Sequence, residues 1–162
     1  MKNIVKGDQL MLFMNDKSIA FATAHTLTLT ANTTDIASKD HGVYGAKDVS
    51  TITWEITTEN LYAAQDYETL VDAMLSAKPV KVAFANAASW TNKGIDNTTK
   101  TWTPDTKTLN LTGNAIITSL VANANTGENA TFSATFTGVG AITKSGSNAS
   151  TQSLSDNAKS VK

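Results

Sequence analysis

The chain has 162 residues, a formal charge of −1, 17% charged residues and no cysteine. This length favours one domain with a substantial core, and the lack of cysteine excludes disulfides, thiol catalysis and thiolate metal sites. All 13 basic residues are Lys, and the absence of Arg together with the near-zero charge weighs against a protein that reads nucleic acid. The first residues contain no apolar signal core, and no run reaches the roughly 20 apolar residues of a membrane span, so we expect a soluble, cytoplasmically made protein.

The first half of the chain alternates apolar and polar residues, which predicts strands. QLMLFM at 9–14, followed by Asn15-Asp16, predicts a first hairpin, and AHTLTLT at 24–30 and STITWEITT at 50–58 each carry one apolar and one hydroxyl-rich face. Residues 31–49 lose the alternation, and we expect a long polar loop there, of the kind that is usually functional.

One segment has helical spacing instead. Within AAQDYETLVDAMLSAKP (63–79) an apolar stripe is formed by Leu70, Val71, Met74 and Leu75. We predict a helix that is capped by Asp66, ends at Lys78 and Pro79, and packs its stripe on a sheet.

The second half returns to strands. PVKVAFANA at 79–87 alternates, and residues 108–120 and 130–137 form a hairpin around NANTGEN. In GENATFSATFTG (127–138) Phe132 and Phe136 face the predicted core, while the opposite face holds only hydroxyls: Thr131, Ser133, Thr135 and Thr137. The composition and pattern predict a mainly β protein, a β-sandwich or barrel with one packed α-helix, over residues 1–143, followed by a flexible Ser/Asn-rich arm at 144–162.

Candidate catalytic residues are few. His25 lies in a strand, and Asp40 and His41 are adjacent in an extended segment, where neighbouring side chains point apart. Glu55 and Glu59 do not resemble a glycosidase pair, and there is no phosphate-binding loop. We therefore expect no enzyme, no cofactor and no metal site.

Two tryptophans in a polar stretch, Trp90 and Trp102, allow a second interpretation. Exposed aromatics stack on sugars, so these residues with Tyr44 would suit a carbohydrate- or surface-binding β-sandwich. The plainer interpretation is that they cap the core or fill a subunit contact.

The order of these segments resembles the phage major tail protein, the subunit of the tail tube. The resemblance is carried by KGDQLMLFMNDKSIAFATAHTLTLTANT (6–33), DVSTITWEITTENLY (48–62), YETLVDAMLSAKPVKVAF (67–84) and, above all, GNAIITSLVANANTGENATFSATFTGVGAIT (113–143). It implies a structural subunit of a phage or prophage tail, which assembles with other tail proteins in the host cytoplasm, ends in the virion tail and contacts no membrane.

The resemblance also implies how copies assemble. Hexameric rings would join their sheets into one inner barrel and stack into a tube through which DNA passes unbound. By position in the family's order of elements, ring stacking would use residues 1–8, the C-terminal arm and the polar loop 34–49, notably Lys39, Asp40, Tyr44, Lys47 and Asp48. The hydroxyl face of Thr131, Ser133, Thr135 and Thr137 would then line the channel.

Overall fold

The computed structural model describes residues 5, 7–19, 22–36, 44–87, 104–105 and 108–146. After a short 3₁₀ turn at Gly7–Gln9, these residues form seven strands and one α-helix in chain order. The elements are β1 (Leu10–Met14), β2 (Lys17–Ser18), β3 (Ala22–Ile36), β4 (Ala46–Leu61), α1 (Ala64–Leu75), β5 (Val80–Asn86), β6 (Asn110–Asn123) and β7 (Thr131–Ser145).

The seven strands make one antiparallel sheet in the order β2-β1-β5-β6-β7-β4-β3. Strands β1 and β3 are far apart in this order, yet they approach each other in space. The sheet therefore curls around its own apolar face, on which α1 also packs. The expected mainly β fold with one packed helix is confirmed. The sandwich or barrel is formed by a single sheet that curls, not by two separate sheets.

The core follows the predicted alternation along β7. Phe132, Ala134 and Phe136 are each no more than 1% exposed, and they lie opposite Asn60, Thr58 and Ile56 of β4. The placement of Phe132 and Phe136 in the core is thus confirmed. Fully burying an aromatic or aliphatic side chain stabilises the fold by about 1.5–3 kcal/mol, so this column is a major part of the stability.

The indole ring of Trp54 packs directly on the backbone of two glycines, Gly113 in β6 and Gly138 in β7. A Cβ on Gly138 would lie 2.2 Å from Trp54 Cε2, and one on Gly113 would lie 2.6 Å from Trp54 Cζ2. The indole N–H donates to the carbonyl oxygen of Gly140 at 3.0 Å. Glycine at 113 and 138 is therefore required by close approach of the indole to β6 and β7.

Helix α1 begins earlier than predicted. Its N-cap is Ala63, without a side-chain hydrogen bond, and Asp66 lies inside the first turn, where its charge still suits the helix dipole. The prediction of Asp66 as N-cap is wrong by one turn. The N–H of Tyr67 bonds to the Ala63 carbonyl at 3.0 Å, and the Tyr67 ring packs against Phe132. Packing of the Tyr67 ring on the core thus places the first turn of α1 before Asp66, although Asp66 is the better capping residue.

The predicted apolar stripe of α1 is only half right. Leu70 is buried, and Tyr67 and Ala73 pack against the core beside it. Leu75 is instead 78% exposed and Met74 is 38% exposed. The helix therefore buries the side centred on Leu70 and leaves an apolar flank outside the core.

The long polar loop predicted at residues 31–49 is largely β-structure. Strands β3 and β4 stay paired as far as Ile36 and Ala46, so that Lys47 and Asp48 belong to β4 and face Asp35 and Thr34. An exposed two-stranded ladder needs no apolar alternation, which is why the sequence pattern did not reveal it.

The chain termini bear on the predicted domain limits. Strand β7 continues to Ser145, and residues 147–162 lie outside the described residues. The single domain over 1–143 and the flexible arm over 144–162 therefore stay predictions.

Candidate assembly surface

The hydroxyl-rich faces found in three segments lie side by side in the sheet. Thr26 of β3 is opposite Thr57 of β4, which is opposite Thr135 of β7, and Ser119 of β6 follows next in the same row. All of them lie on the side of the sheet away from Phe132 and Phe136. We call this surface the hydroxyl face; it comprises Thr26, Thr28, Thr30, Thr53, Thr57, Thr118, Ser119, Thr131, Ser133, Thr135 and Thr137.

Strand β6 contributes a member that the sequence pattern did not assign. Thr118 is the extra residue of a bulge, because Ile117 is paired with Phe136 and Ser119 with Thr135. Its Oγ1 lies 2.9 Å from Oγ1 of Thr137 and 3.4 Å from the carbonyl oxygen of Thr135. The bulge thus re-aims a hydroxyl onto β7 and links the two strands on this face.

The charge of the hydroxyl face is acidic. Glu55 lies between Thr28 and Thr137, and Glu59 lies opposite Ser133. No Lys or Arg occurs in the contributing stretches of the four strands, residues 22–34, 51–61, 114–123 and 131–143. Leu61, opposite Thr131, and Val121, opposite Ser133, add two exposed apolar side chains to this side. A polyanion facing this surface would therefore meet hydroxyls, carboxylates and a few apolar groups rather than fixed cations.

The hydroxyl face does not extend over the whole sheet. On the corresponding side of β1 and β5, a second apolar cluster is formed by Phe13, Ala83 and Ala85, with Met11 and Ala87 packed against it. The polar surface is therefore confined to the four long strands β3, β4, β7 and β6.

The two edges of the sheet differ. Strand β3, with 15 residues, forms one edge, whereas the other edge consists of the two-residue β2 and the start of β1. In the described part of the chain, β3 is paired along one side only. A long unpaired edge is a template for pairing with another chain, and soluble proteins rarely leave it bare.

Beyond the core, β3 and β4 project as an exposed arm, which we define as residues 29–36 and 46–53. Every described side chain of the arm is exposed apart from the half-buried Ala46. Near its end Lys47 forms an ion pair with Asp35, and Oδ1 of Asp48 accepts the N–H of Val49 at 2.8 Å. An exposed ion pair such as Lys47–Asp35 contributes at most about 1 kcal/mol to the stability of the fold.

Three of the five residues predicted for ring stacking, Tyr44, Lys47 and Asp48, lie within the described part of the chain. Tyr44 is 87% exposed at the described end of the arm, close in sequence to Lys47 and Asp48. Lys39 and Asp40 lie outside the described residues, so that their part in stacking stays a prediction. Residues 34–36 and 46–49 of the predicted loop lie in the arm.

A bulge interrupts the arm at Ser50. Asn32 is paired with Thr51 and Thr33 with Val49, so Ser50 is the extra residue. The Ser50 hydroxyl donates to the Asn32 carbonyl oxygen at 3.0 Å, and Nδ2 of Asn32 donates to Oγ1 of Thr51 at 3.0 Å. Two side-chain hydrogen bonds therefore fix the position of the bulge.

His25 is half-buried on the core side of β3. It lies opposite Thr58, whose hydroxyl donates to Oδ1 of Asn60 at 2.6 Å. Burial lowers the pKa of His25 from 6.5 to about 4, because the imidazolium loses its hydration there. The ring is therefore neutral at pH 7. His41 and the tryptophans of the alternative sugar-binding site, Trp90 and Trp102, lie outside the described residues.

The described residues contain neither a metal-binding cluster nor a membrane-spanning helix. They contain no group of three or more His, Asp or Glu side chains that could hold a metal ion. None of their helices is both long enough and apolar enough to cross a membrane.

Comparisons with known proteins agree with this geometry. The sequence pattern of the family described as "Phage tail tube protein" matches residues 8–144. None of the curated proteins compared with the chain matches it.

Two solved structures from gene transfer agent particles have the same fold. One is a chain in the tail of an empty particle, refined with C6 symmetry; it has a TM-score of 0.67 and 16% identity, and the match covers 86% of this chain and 98% of that one. The other, from the virion of a native particle, has a TM-score of 0.66 and 15% identity, with 88% and 99% covered. Since the family pattern spans most of the sequence and the curled sheet is shared, the chain belongs to the phage tail tube protein family.

Proposed function

We propose that this tail tube protein assembles as hexameric rings that stack around a channel for DNA. The similar chain in the gene transfer agent tail was refined with C6 symmetry. The long free edge of β3 and the short edge at β2 are two unlike surfaces, as a head-to-tail ring contact requires. Closing the ring would pair these edges and remove the exposed template for aggregation.

The hydroxyl face is the surface that we propose to line the channel. Its four strands are the longest in the described chain, with 14–16 residues each. Six copies joined edge to edge would place Thr131, Ser133, Thr135 and Thr137 on the inner wall. Because that wall would hold mostly hydroxyls and carboxylates, with Leu61 and Val121 among them and no Lys, it would be wetted and would not retain phosphates.

The arm is the proposed stacking element. It projects beyond the core, and its end carries Tyr44, Lys47 and Asp48. Lys39 and Asp40 belong to the same connection between β3 and β4 in the sequence. We infer that this end contacts the adjacent ring, with residues 1–8 and the C-terminal arm as further contacts.

The proposed place of the protein follows from this role. Subunits assemble in the host cytoplasm with other tail proteins and end in the tail of the virion of a phage or prophage. No catalytic step is assigned to the chain, because its described surface serves contacts between copies and the passage of DNA.

Electron microscopy with size-exclusion chromatography tests this function. We expect the purified protein to form rings with sixfold symmetry and, at higher concentration, tubes. A protein that stays monomeric at millimolar concentration and shows neither rings nor tubes would contradict the proposal.

A further inference from the structure

We propose that an apolar strip on the arm, formed by Leu29, Ala31, Val49 and Ile52, docks on the helix flank of another copy of this chain. The helix flank comprises Val71, Met74 and Leu75 of α1. This inference rests on the proposed ring assembly and identifies two surfaces that meet in it.

The strip lies on the same side of the sheet as the core, in the part of β3 and β4 that extends beyond the buried residues. Leu29 lies opposite Trp54 and Ala31 opposite Ile52, on the same side of the sheet as the buried Ile56. Leu29 is nevertheless 52% exposed and Ile52 60% exposed. Contiguous exposed apolar side chains, unlike single ones, are typical of interaction surfaces.

The bulge at Ser50 extends the strip by one residue. Along β4, even-numbered residues from Ile52 to Asn60 face the core side. Without an extra residue Val49 would point to the hydroxyl face, but the bulge pairs it with Thr33 on the core side. Val49 is 51% exposed there. The bulge that these hydrogen bonds of Ser50 and Asn32 accompany therefore places Val49 on the same side as Ala31 and Ile52.

The helix flank is the matching surface on the same side of the sheet. Val71 and Leu75 are four residues apart and so are neighbours on one side of α1. Leu75 is 78% exposed and Met74 is 38% exposed, although Leu70 beside them is buried. The flank thus offers an apolar surface that its own chain does not cover in the described residues.

A second copy is the occupant that uses both surfaces at once. A head-to-tail contact needs two unlike patches on every subunit, and a sixfold ring repeats that contact six times. The strip and flank are far smaller than the about 20–30 residues a side of a stable pairwise interface. The contact would therefore be weak between two free copies and effective when repeated in an assembly.

The absence of cysteine allows a direct crosslinking test. In the double variant Ile52→Cys, Leu75→Cys, a short bismaleimide should give covalent dimers and higher multimers under conditions in which rings form. The control pair Thr53→Cys, Leu75→Cys moves one thiol to the hydroxyl face of the same arm and should give at most a tenth of that product. Equal products from the two pairs would overturn the docking.

A charge substitution gives a second, independent readout. Leu75→Glu should raise the protein concentration at half-assembly at least tenfold, whereas Thr69→Glu, exposed on a different side of α1, should change it less than twofold. The docking alone would be contradicted if the wild type forms rings, Leu75→Glu assembles at an unchanged protein concentration, and the Ile52→Cys, Leu75→Cys variant gives no crosslinked product. An absence of wild-type rings would contradict the proposed function instead.

Discussion

The indole N–H of Trp54 donates to the carbonyl oxygen of Gly140 across a separation of 86 residues in the chain. This bond joins β4 to the part of β7 between Val139 and Thr143, where the register with β6 shifts and Gly140 has a φ of 75°. The ring lies over Gly138 and Gly113, so three strands meet around one side chain. Trp54 also stands where the buried core gives way to the exposed arm.

Replacing Gly138 with Ala should destabilise the fold by about 1–3 kcal/mol, because the new methyl overlaps the indole. Urea unfolding followed by Trp fluorescence measures this loss. Gly45→Ala is the matched control, since a Cβ there meets nothing within 4 Å, and it should change stability by less than about 0.5 kcal/mol. Equal stability of both variants would show that the indole is not packed against β7.

The pH dependence of stability should report on His25. Its folded-state pKa of about 4 lies below the unfolded value of 6.5, so the unfolded chain binds the proton more readily. The contribution to stability is therefore complete above pH 6.5 and falls as the pH drops towards 4. His25→Leu should unfold with a shallower pH slope over that window, and identical slopes for wild type and variant would contradict the burial of the ring.

The two faces of β7 should respond very differently to truncation. Phe136→Ala removes a fully buried ring and should cost about 3–5 kcal/mol. Ser133→Ala, on the hydroxyl face, should change the free energy of unfolding by less than about 0.5 kcal/mol. Chemical denaturation of both variants measures the contrast, and similar losses would argue against the assignment of faces.

Replacing the connection between the two strands of the arm separates folding of the subunit from stacking of the rings. Because Ile36 and Ala46 are paired, residues 37–45 can be replaced by an Asn-Gly turn, which suits a two-residue hairpin connection. We expect rings of normal diameter by electron microscopy, and stacks reduced at least tenfold. Tubes of normal length from this variant would disprove a stacking role for residues 37–45, among them Lys39, Asp40 and Tyr44.

Positive charge on the hydroxyl face tests its contact with DNA. The double variant Thr131→Lys, Thr135→Lys should leave subunit folding intact, because neither side chain is in the core. In phage particles it should slow or block DNA passage, since each added cation holds a phosphate and does so less at high salt. Thr69→Lys, at an exposed position of α1 away from the hydroxyl face, would serve as the charge control. Normal DNA delivery by the double variant would contradict a channel lining.

Much of this fold can be predicted from alternation alone. The strict period of two in residues 130–137 identified both the buried Phe132 and Phe136 and the opposite hydroxyls, because one-sided burial imposes that period. Similar patterns in β3 and β4 indicated that the hydroxyl face extended over several strands. The order of these elements along the chain in turn carries the family resemblance.

The remaining features depend on contacts that no local pattern records. The arm has hydrogen-bonded strands without a buried face, so the sequence pattern predicts a loop over residues 31–49 where the strands stay paired as far as Ile36 and Ala46. The first turn of α1 is set by Tyr67 against Phe132 rather than by the capping residue Asp66. Thr118 reaches the hydroxyl face through a bulge, which depends on the register between β6 and β7. Each of these features is a long-range effect.

A cryo-electron microscopy reconstruction of tubes assembled from this protein tests the central claim most directly. We predict six subunits per ring, with Thr131, Ser133, Thr135 and Thr137 facing the channel and Glu55 and Glu59 beside them. A tube in which these side chains lie on the outer wall, or are buried between subunits, would contradict the account.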